Sequence, residues 1–278
     1  MNIKNLNLII FFLLIIISII SYYQFIKNNN KLNKVENFKI YYGSINDSIL
    51  DNIKKYEMII VEASHFQKED VDKIKIENSP ILIGYLSVLE VGNWDKEILE
   101  EMDTDNFLKV NGRRAFNEKY NNYIGDIGQE HFRKVLISTI EERIISKGFD
   151  GVFLDTADWI NYYEKDEKVY TNLLNGYEEF LKEVRGKFPN IYIIQNRGFG
   201  NLLEISSKYI DGVLWENFKL QSSNDETIRK QLIRLENKKN ISIFTVSFQK
   251  QSENKKLSEK LGWKYFELKN GGSFNKWQ

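Results

Sequence analysis

Residues 130–155 read EHFRKVLISTIEERIISKGFDGVFLD. Within them, Glu130–Lys147 sets Phe132, Val135, Leu136, Ile140 and Ile144 on one stripe of a helix, and Gly148 supplies the residue that ends it. The run that follows, Gly151–Asp155, is apolar without alternation, as in a strand covered on both faces. A helix leading into a doubly covered strand is the half-unit of a parallel α/β fold, and outward from this stretch the same alternation recurs. Strands are predicted over Lys39–Tyr42, Met58–Glu62, Ile81–Tyr85, Tyr123–Asp126, Gly151–Asp155, Ile191–Gln195, Gly212–Glu216 and Ile241–Val246, and further amphipathic helices over Tyr170–Phe188 and Thr227–Lys239. The two prolines, Pro80 and Pro189, each stand just before a strand, where they break nothing. Eight βα units in succession predict an α/β fold of the (β/α)8 TIM-barrel type, with an open doubly wound sheet as the competing arrangement. No glycine-rich phosphate loop follows the first strand, which argues against a nucleotide site.

The chain has 278 residues, and the stretch from Phe38 onward, about 240, approaches the ~250 of one such barrel. A hydrophobic fraction of 42% with 14% aromatic residues is that of a folded chain. Thirty-nine basic residues balance 39 acidic ones, so the basic excess of a nucleic-acid partner is missing. The lack of cysteine excludes disulfides, thiolate zinc sites and thiol nucleophiles. Two histidines, His65 and His131, leave little for a metal centre, and no metal or cofactor is expected. Before the domain, residues 5–26 carry no charge. At ~1.5 Å per residue they are long enough to cross the ~30 Å hydrocarbon layer. No small-x-small cleavage site is clear near Ser21, so residues 1–26 are expected to form an uncleaved transmembrane signal-anchor, residues 27–37 (KNNNKLNKVEN) a linker, and 38–278 a single barrel domain. The expected location is the cell membrane, single-pass, with the domain extracellular, or secreted if the segment is cleaved. Lys4 faces Lys27, Lys31 and Lys34 across the segment, so the positive-inside rule leaves a cytoplasmic-side tether as the alternative.

In a (β/α)8 barrel the chemistry lies at the carboxyl ends of the strands. Those ends carry Tyr42, Glu62, Tyr85 with Ser87 and Glu90, Asp126, Asp155, Asn196, and Trp215 with Glu216. Five of the eight predicted strands deliver a carboxylate there although the chain as a whole is neutral. Two strands repeat one pattern, DGVFLD at 150–155 and DGVLWE at 211–216. Period-two alternation puts Asp155 on the side of Gly151 and Phe153, and Glu216 on the side of Gly212 and Leu214. One intervening strand at ~4.8 Å spacing sets the backbones roughly 10 Å apart. Inward-leaning side chains then bring the two carboxyls into range for glycoside hydrolysis, about 5–5.5 Å for retaining and about 6.5–9.5 Å for inverting chemistry. Asp150 and Asp211, at the opposite end, read as structural. Asp158 divides between a helix N-cap and a cleft acid. Tyr42, Tyr85, Trp94, Trp159, Trp215 and Phe248 gather near the same rim, as sugar-stacking rings or as core, with core the better account of Tyr42 and Phe248. His65 follows the second strand toward the mouth, and His131 falls on a helix surface.

The stretches GFDGVFLDTAD (148–158), IGYLSVLEVGNWD (83–95), IIQNRG (193–198) and DGVLWENF (211–218) resemble glycoside hydrolase family 114, the endo-α-1,4-polygalactosaminidase family. The resemblance covers nearly all of 38–272 and keeps the motif order. It implies a (β/α)8 barrel that cleaves α-1,4-linked galactosamine or N-acetylgalactosamine polysaccharide, with exported and membrane-anchored members. Position by position, it implies that Asp155 is the strand-5 catalytic Asp and Glu216 the strand-7 catalytic Glu. Tyr85, Ser87 and Glu90 match the cleft-lining Y-L-S-x-x-E segment, and Asn196 matches the Asn ending strand 6. Glu62 stands where an Asp is common and Leu89 where a Gly is usual, departures that bear on subsite shape. The expected mechanism is a retaining double displacement with Asp155 as nucleophile and Glu216 as general acid/base, or the reverse. Trp215 and the Asp155 charge are expected to raise the Glu216 pKa. Glu62, Glu90, Asp126 and Asp158 are expected to attract a cationic polymer. An α-galactosidase-like or other amino-sugar hydrolase, and a non-catalytic membrane-tethered polysaccharide-binding protein, are the alternative functions.

Overall fold

Eight short runs, most of them β-branched or aromatic, form one parallel sheet: β1 (Phe38–Tyr41), β2 (Met58–Val61), β3 (Ile81–Ser87), β4 (Gly151–Asp155), β5 (Tyr192–Asn196), β6 (Gly212–Glu216), β7 (Ser242–Ser247) and β8 (Lys264–Glu267). The computed structural model describes residues 31–76, 79–268 and 272–277, and the chain divides into two compact units, 1–34 and 35–278. The predicted transmembrane segment, 1–26, lies outside the described residues; among those described, no helix is long and apolar enough to cross a membrane. In the second unit every strand pairs with the next in sequence, which is barrel order rather than the reversing order of a doubly wound sheet. β8 returns beside β1. Phe38 packs against Phe266 with ring centroids 5.9 Å apart and against Phe244 at 5.1 Å, while no hydrogen-bonded ladder joins β8 to β1 among the described residues.

One predicted strand is corrected, and one strand of the barrel was not predicted. The stretch Tyr123–Asp126 is no barrel strand: Asn122–Ile124 pairs antiparallel with Glu90–Gly92 and Phe116–Asn117 in a small side sheet. Asn121, left-handed at φ 58°, turns the chain there into a hairpin, a local signal stronger than the brief apolar run. The eighth strand is KYFE at 264–267, whose two aromatic residues are flanked by charges at both ends and do not make the apolar run of a strand covered on both faces. Asp155 and Glu216 therefore close the fourth and sixth strands, not the fifth and seventh, still with one strand, β5, between them. After α1 (Asp47–Ile53) and α2 (Lys68–Ile74), the excursion between β3 and β4 carries the side sheet and α3 (Lys96–Glu101) before α4 (Glu130–Arg143) returns the chain to the barrel.

The helices form where the amphipathic stripe predicts them. α4 buries Phe132, Val135, Leu136 and Ile140, and a 3-10 turn, Ile145–Lys147, runs into Gly148 at φ 94°. The long helix at Glu167–Lys187 and the one at Ser223–Lys239 start earlier than their stripes because their first turns are polar. Asp166 caps the first by accepting from the Val169 amide, and Ser222 with Asp225 forms a reciprocal capping box on the second. Within the sheet, Phe153, Ile194 and Leu214 fall on the inward rows, and Val152, Leu154, Ile193 and Val213 pack outward in the core beneath the helices.

The repeated D-G-V has a mechanical meaning. Asp150 accepts from the Leu82 amide of β3 at 2.6 Å and pairs with Lys75; Asp211 accepts from the Ile193 amide of β5 at 2.8 Å and pairs with Arg185. Each Asp thus pins its strand to the preceding neighbour through charge-assisted bonds, which contribute about 1.5–3 kcal/mol apiece. The following glycine permits close approach, since a Cβ at Gly151 would stand 2.2 Å from the Tyr192 carbonyl oxygen. Both aspartates are structural, as expected.

Candidate active site

Each acid of the pair ends its strand at the top of the barrel. Asp155, the last residue of β4, accepts at Oδ1 from its neighbour's amide, Thr156 N, at 2.8 Å and at Oδ2 from the Tyr85 hydroxyl at 2.9 Å. Asn196, the last residue of β5 and buried, donates from Nδ2 both to Asp155 Oδ1 at 2.8 Å and to Glu216 Oε2 at 2.9 Å. One amide nitrogen therefore spans the two carboxylates. Its two N–H groups allow it to serve one carboxylate with each.

The backbone just beyond these side chains is unusual. Thr156, Arg197 and Asn217 each follow a site residue, and all three are left-handed, at φ 65°, 52° and 55°. Such a turn breaks the strand at once, so the preceding side chain stays in the barrel mouth while the chain departs toward the next helix. Asn tolerates this region; β-branched Thr does not without strain. Thr156 answers with its hydroxyl, which lies 2.9 Å from Ser87 Oγ and accepts from the amides of Leu89 and Glu90 at 3.0 and 3.2 Å. It clasps the end of β3 to the end of β4.

These residues open into a cleft of about 930 Å³ lined by Tyr85, Ser87, Glu90, Asp155, Asp158, Asn196 and Glu216 among the predicted site residues. Glu90 is held by three donors: Asn117 Nδ2 at 2.8 Å, Asn122 Nδ2 at 2.7 Å and the Trp159 indole. It thus fastens the side sheet to the helix after β4. Asp158 takes the helix N-cap position without capping; its carboxylate lies 3.5 Å from Arg197 Nε.

Burial pushes the Glu216 carboxyl above the usual range, and the Asp155 charge adds to the rise against the Asn196 hydrogen bond. Burial likewise raises Asp158, opposed by Arg197. The Tyr85 hydroxyl is raised well above its ordinary value by burial and by Asp155, so it stays a donor to that carboxylate.

Four predicted binding residues are not brought to this cleft. Asp126 is buried and consumed by the turn before α4, accepting from Gly128 N, Gln129 Nε2 and Asn172 Nδ2; with Tyr123–Asp126 out of the barrel, no strand aims it at the mouth. Trp215 is core: it faces outward, against Phe199, Phe218 and Trp263, because period-two alternation turns it away from Glu216. Burial in the barrel mouth, not Trp215, raises Glu216. Glu62 accepts from Ser64 N at 3.1 Å and lines a small adjoining cavity of about 30 Å³ that shares Tyr85, Ser87 and Glu90 with the cleft. Tyr42 packs its ring on Tyr85 and Phe274, at 4.9 and 5.4 Å, close to the acid pair but not in the cleft lining. His65 bonds the Gly43 carbonyl, and His131 is a surface residue bonded to Asn106.

Sequence reasoning missed other cleft residues, among them Thr156, Arg197, Asn117, Lys119, Asn122 and Asn161. Thr156 and Arg197 lie inside the motif stretches, one position past the residues singled out. Asn117 and Asn122 sit on the hairpin, whose approach to the barrel no local pattern encodes. The side-chain oxygens of Asn122, Asn161 and Asn196 are buried without a hydrogen-bond partner among the described residues, and all three residues line the cleft.

A barrel mouth with two acids on alternate strands defines the class as a (β/α)8 glycoside hydrolase. A model described as hypothetical glycosyl hydrolase family 15 matches residues 90–268, and the chain belongs to that family. Among solved structures, the glycoside hydrolase domain of PelA from Pseudomonas aeruginosa is similar at TM-score 0.68 and 19% identity, over 84% of this chain and 94% of that one. Ega3 of Aspergillus fumigatus, solved in complex with galactosamine, is similar at TM-score 0.61 and 13% identity, over 87% of this chain and 92% of that one. These likenesses are of fold, and they agree with the resemblance to glycoside hydrolase family 114. Comparison with curated protein sequences returns no match.

Proposed function

We propose that the chain hydrolyses α-1,4-linked galactosamine and N-acetylgalactosamine polysaccharide within the chain and with retention of configuration. The observation that carries the reading is the Asn196 bridge: one amide nitrogen lies 2.8 Å from an Asp155 oxygen and 2.9 Å from a Glu216 oxygen, and so close a pair favours the narrower spacing of retaining enzymes. In the first step an Asp155 oxygen bonds to the anomeric carbon, the glycosidic bond breaks, and the Glu216 proton passes to the leaving oxygen. In the second, water gives its proton to the Glu216 carboxylate and displaces Asp155 from the sugar. Asp155 suits the first role because three donors hold its oxygens. Glu216 suits the second because its pKa is raised, so it keeps a proton to higher pH. The substrate class rests on charge as well as on likeness to a protein solved with galactosamine: four acids and two bases line the cleft, a balance that favours a partly deacetylated, cationic polymer.

Incubation of the full-length protein with partly deacetylated α-1,4-galactosaminan is expected to release oligosaccharides seen by mass spectrometry, with the α-anomer first by NMR. Intact polymer would move the substrate elsewhere, and a β-anomer first would replace the double displacement by inversion. We also propose that residues 1–26 anchor the protein in the cell membrane with the barrel outside, supported by their uncharged run. Protease added to intact cells should then digest the barrel; a barrel protected until lysis would reverse the orientation.

A further inference from the structure

Five large hydrophobic side chains are exposed among the described residues, and three of them, Trp94 (68%), Tyr120 (59%) and Tyr162 (73%), line the one cleft that holds the acid pair. None of the three stands at a barrel strand end, and each is held in place. Trp94 lies folded over Gly92, where a Cβ would meet its indole nitrogen at 2.2 Å, and the next residue, Asp95, is gripped by both arms of Arg143 at 2.8 and 2.9 Å. Tyr120 sits on the hairpin whose turn is tied back through Asn93 Nδ2 to the Asn121 carbonyl at 2.7 Å. Tyr162 meets Trp159 and Tyr163 edge-on, at 5.0 and 5.2 Å. Exposed rings held this firmly keep apolar surface in water without covering the core.

We infer that Trp94, Tyr120 and Tyr162 form an aromatic rim that stacks on sugar rings of a polysaccharide away from the bond being cleaved. The rim rests on the proposed glycan hydrolysis and deepens it: it binds chains long enough to reach from the acids to the rim and so favours polymer over short oligosaccharide. Pyranose faces offer C–H groups to the ring planes, a contact that tolerates variation in the attached amino or acetamido groups.

The test is affinity electrophoresis of full-length protein carrying Glu216→Gln, through gels containing partly deacetylated α-1,4-galactosaminan, chitosan or glycogen. Alanine at 94, 120 or 162 is expected to weaken retardation by galactosaminan roughly three- to tenfold each, and the triple replacement at least about thirtyfold. Gly92→Ala, whose added Cβ would collide with the Trp94 ring, should reproduce the Trp94→Ala loss, and Ile76→Ala, an exposed apolar residue outside the cleft, should change nothing. Retardation undiminished in the triple variant, or no retardation of the parent by any of the three polymers, overturns the rim. Ring-dependent retardation by chitosan or glycogen in place of galactosaminan supports the rim and overturns the galactosamine reading instead.

Discussion

Glu216→Gln is expected to lower turnover of galactosaminan by about 10²–10⁴-fold while leaving polymer binding near the parent value. The replacement keeps shape and the contact with Asn196, so the loss reports the missing proton. The direction of the pKa shift fixes the pH behaviour as well. Glu216 must be protonated to assist departure of the leaving oxygen, and its raised pKa extends that state upward in pH. Activity of the parent should therefore fall as pH rises through the Glu216 pKa, and the residual activity of the Gln variant should lack that alkaline limb. Azide separates the two acids. With Asp155→Ala it should enter directly and give a glycosyl azide of inverted configuration, whereas with Glu216→Ala it should act on the covalent intermediate and give the retained product. Exchange of those outcomes would exchange the roles of the two residues.

Asn196→Ala carries the second large effect, although Asn196 need not touch the reacting carbon. The amide's two protons are spent on Asp155 and Glu216, and its removal lets the carboxylates drift apart or face each other without a donor between them. The Asn196 hydrogen bond is the leading influence holding the Glu216 pKa down. Without it, the alkaline limb of the pH–rate profile should move upward. Misplacement of the pair is expected to lower kcat about 10²-fold. A profile that keeps its alkaline limb, with only KM increased, would reduce Asn196 to a substrate contact.

Seven of the eight barrel strands, and the placing of Asp155 and Glu216 at the ends of two of them, were legible in the sequence for one physical reason. Strands buried on both faces, such as MIIV at 58–61 and GVFLD at 151–155, leave a run of apolar residues that no surface element imitates, and an acid ending such a run on the inward row, as Asp155 does, faces the mouth. The error at Tyr123–Asp126 came from an apolar run too brief to separate a barrel strand from a hairpin strand, and it carried Asp126 with it. β8 was hidden because no residue in it is fully buried and its two ends, Lys264 and Glu267, are charged. Trp215 shows a different limit. The same alternation that placed Glu216 inward turns Trp215 outward, and proximity in sequence outweighed it in the reading. The clasp at Thr156, the bridge at Asn196 and the hairpin residues around Glu90 depend on contacts between residues 20 to 69 positions apart, which no local pattern records.

Thr156 sets two selective pressures against each other. A β-branched residue at φ 65° carries local strain on the order of 1–3 kcal/mol that glycine would relieve. Glycine at position 156 would relieve that strain, but it would remove the hydroxyl that clasps β3 to β4 beside Asp155 and leave the Leu89 and Glu90 amides without their acceptor. Threonine is held at this place by what the mouth must do, against what the backbone prefers.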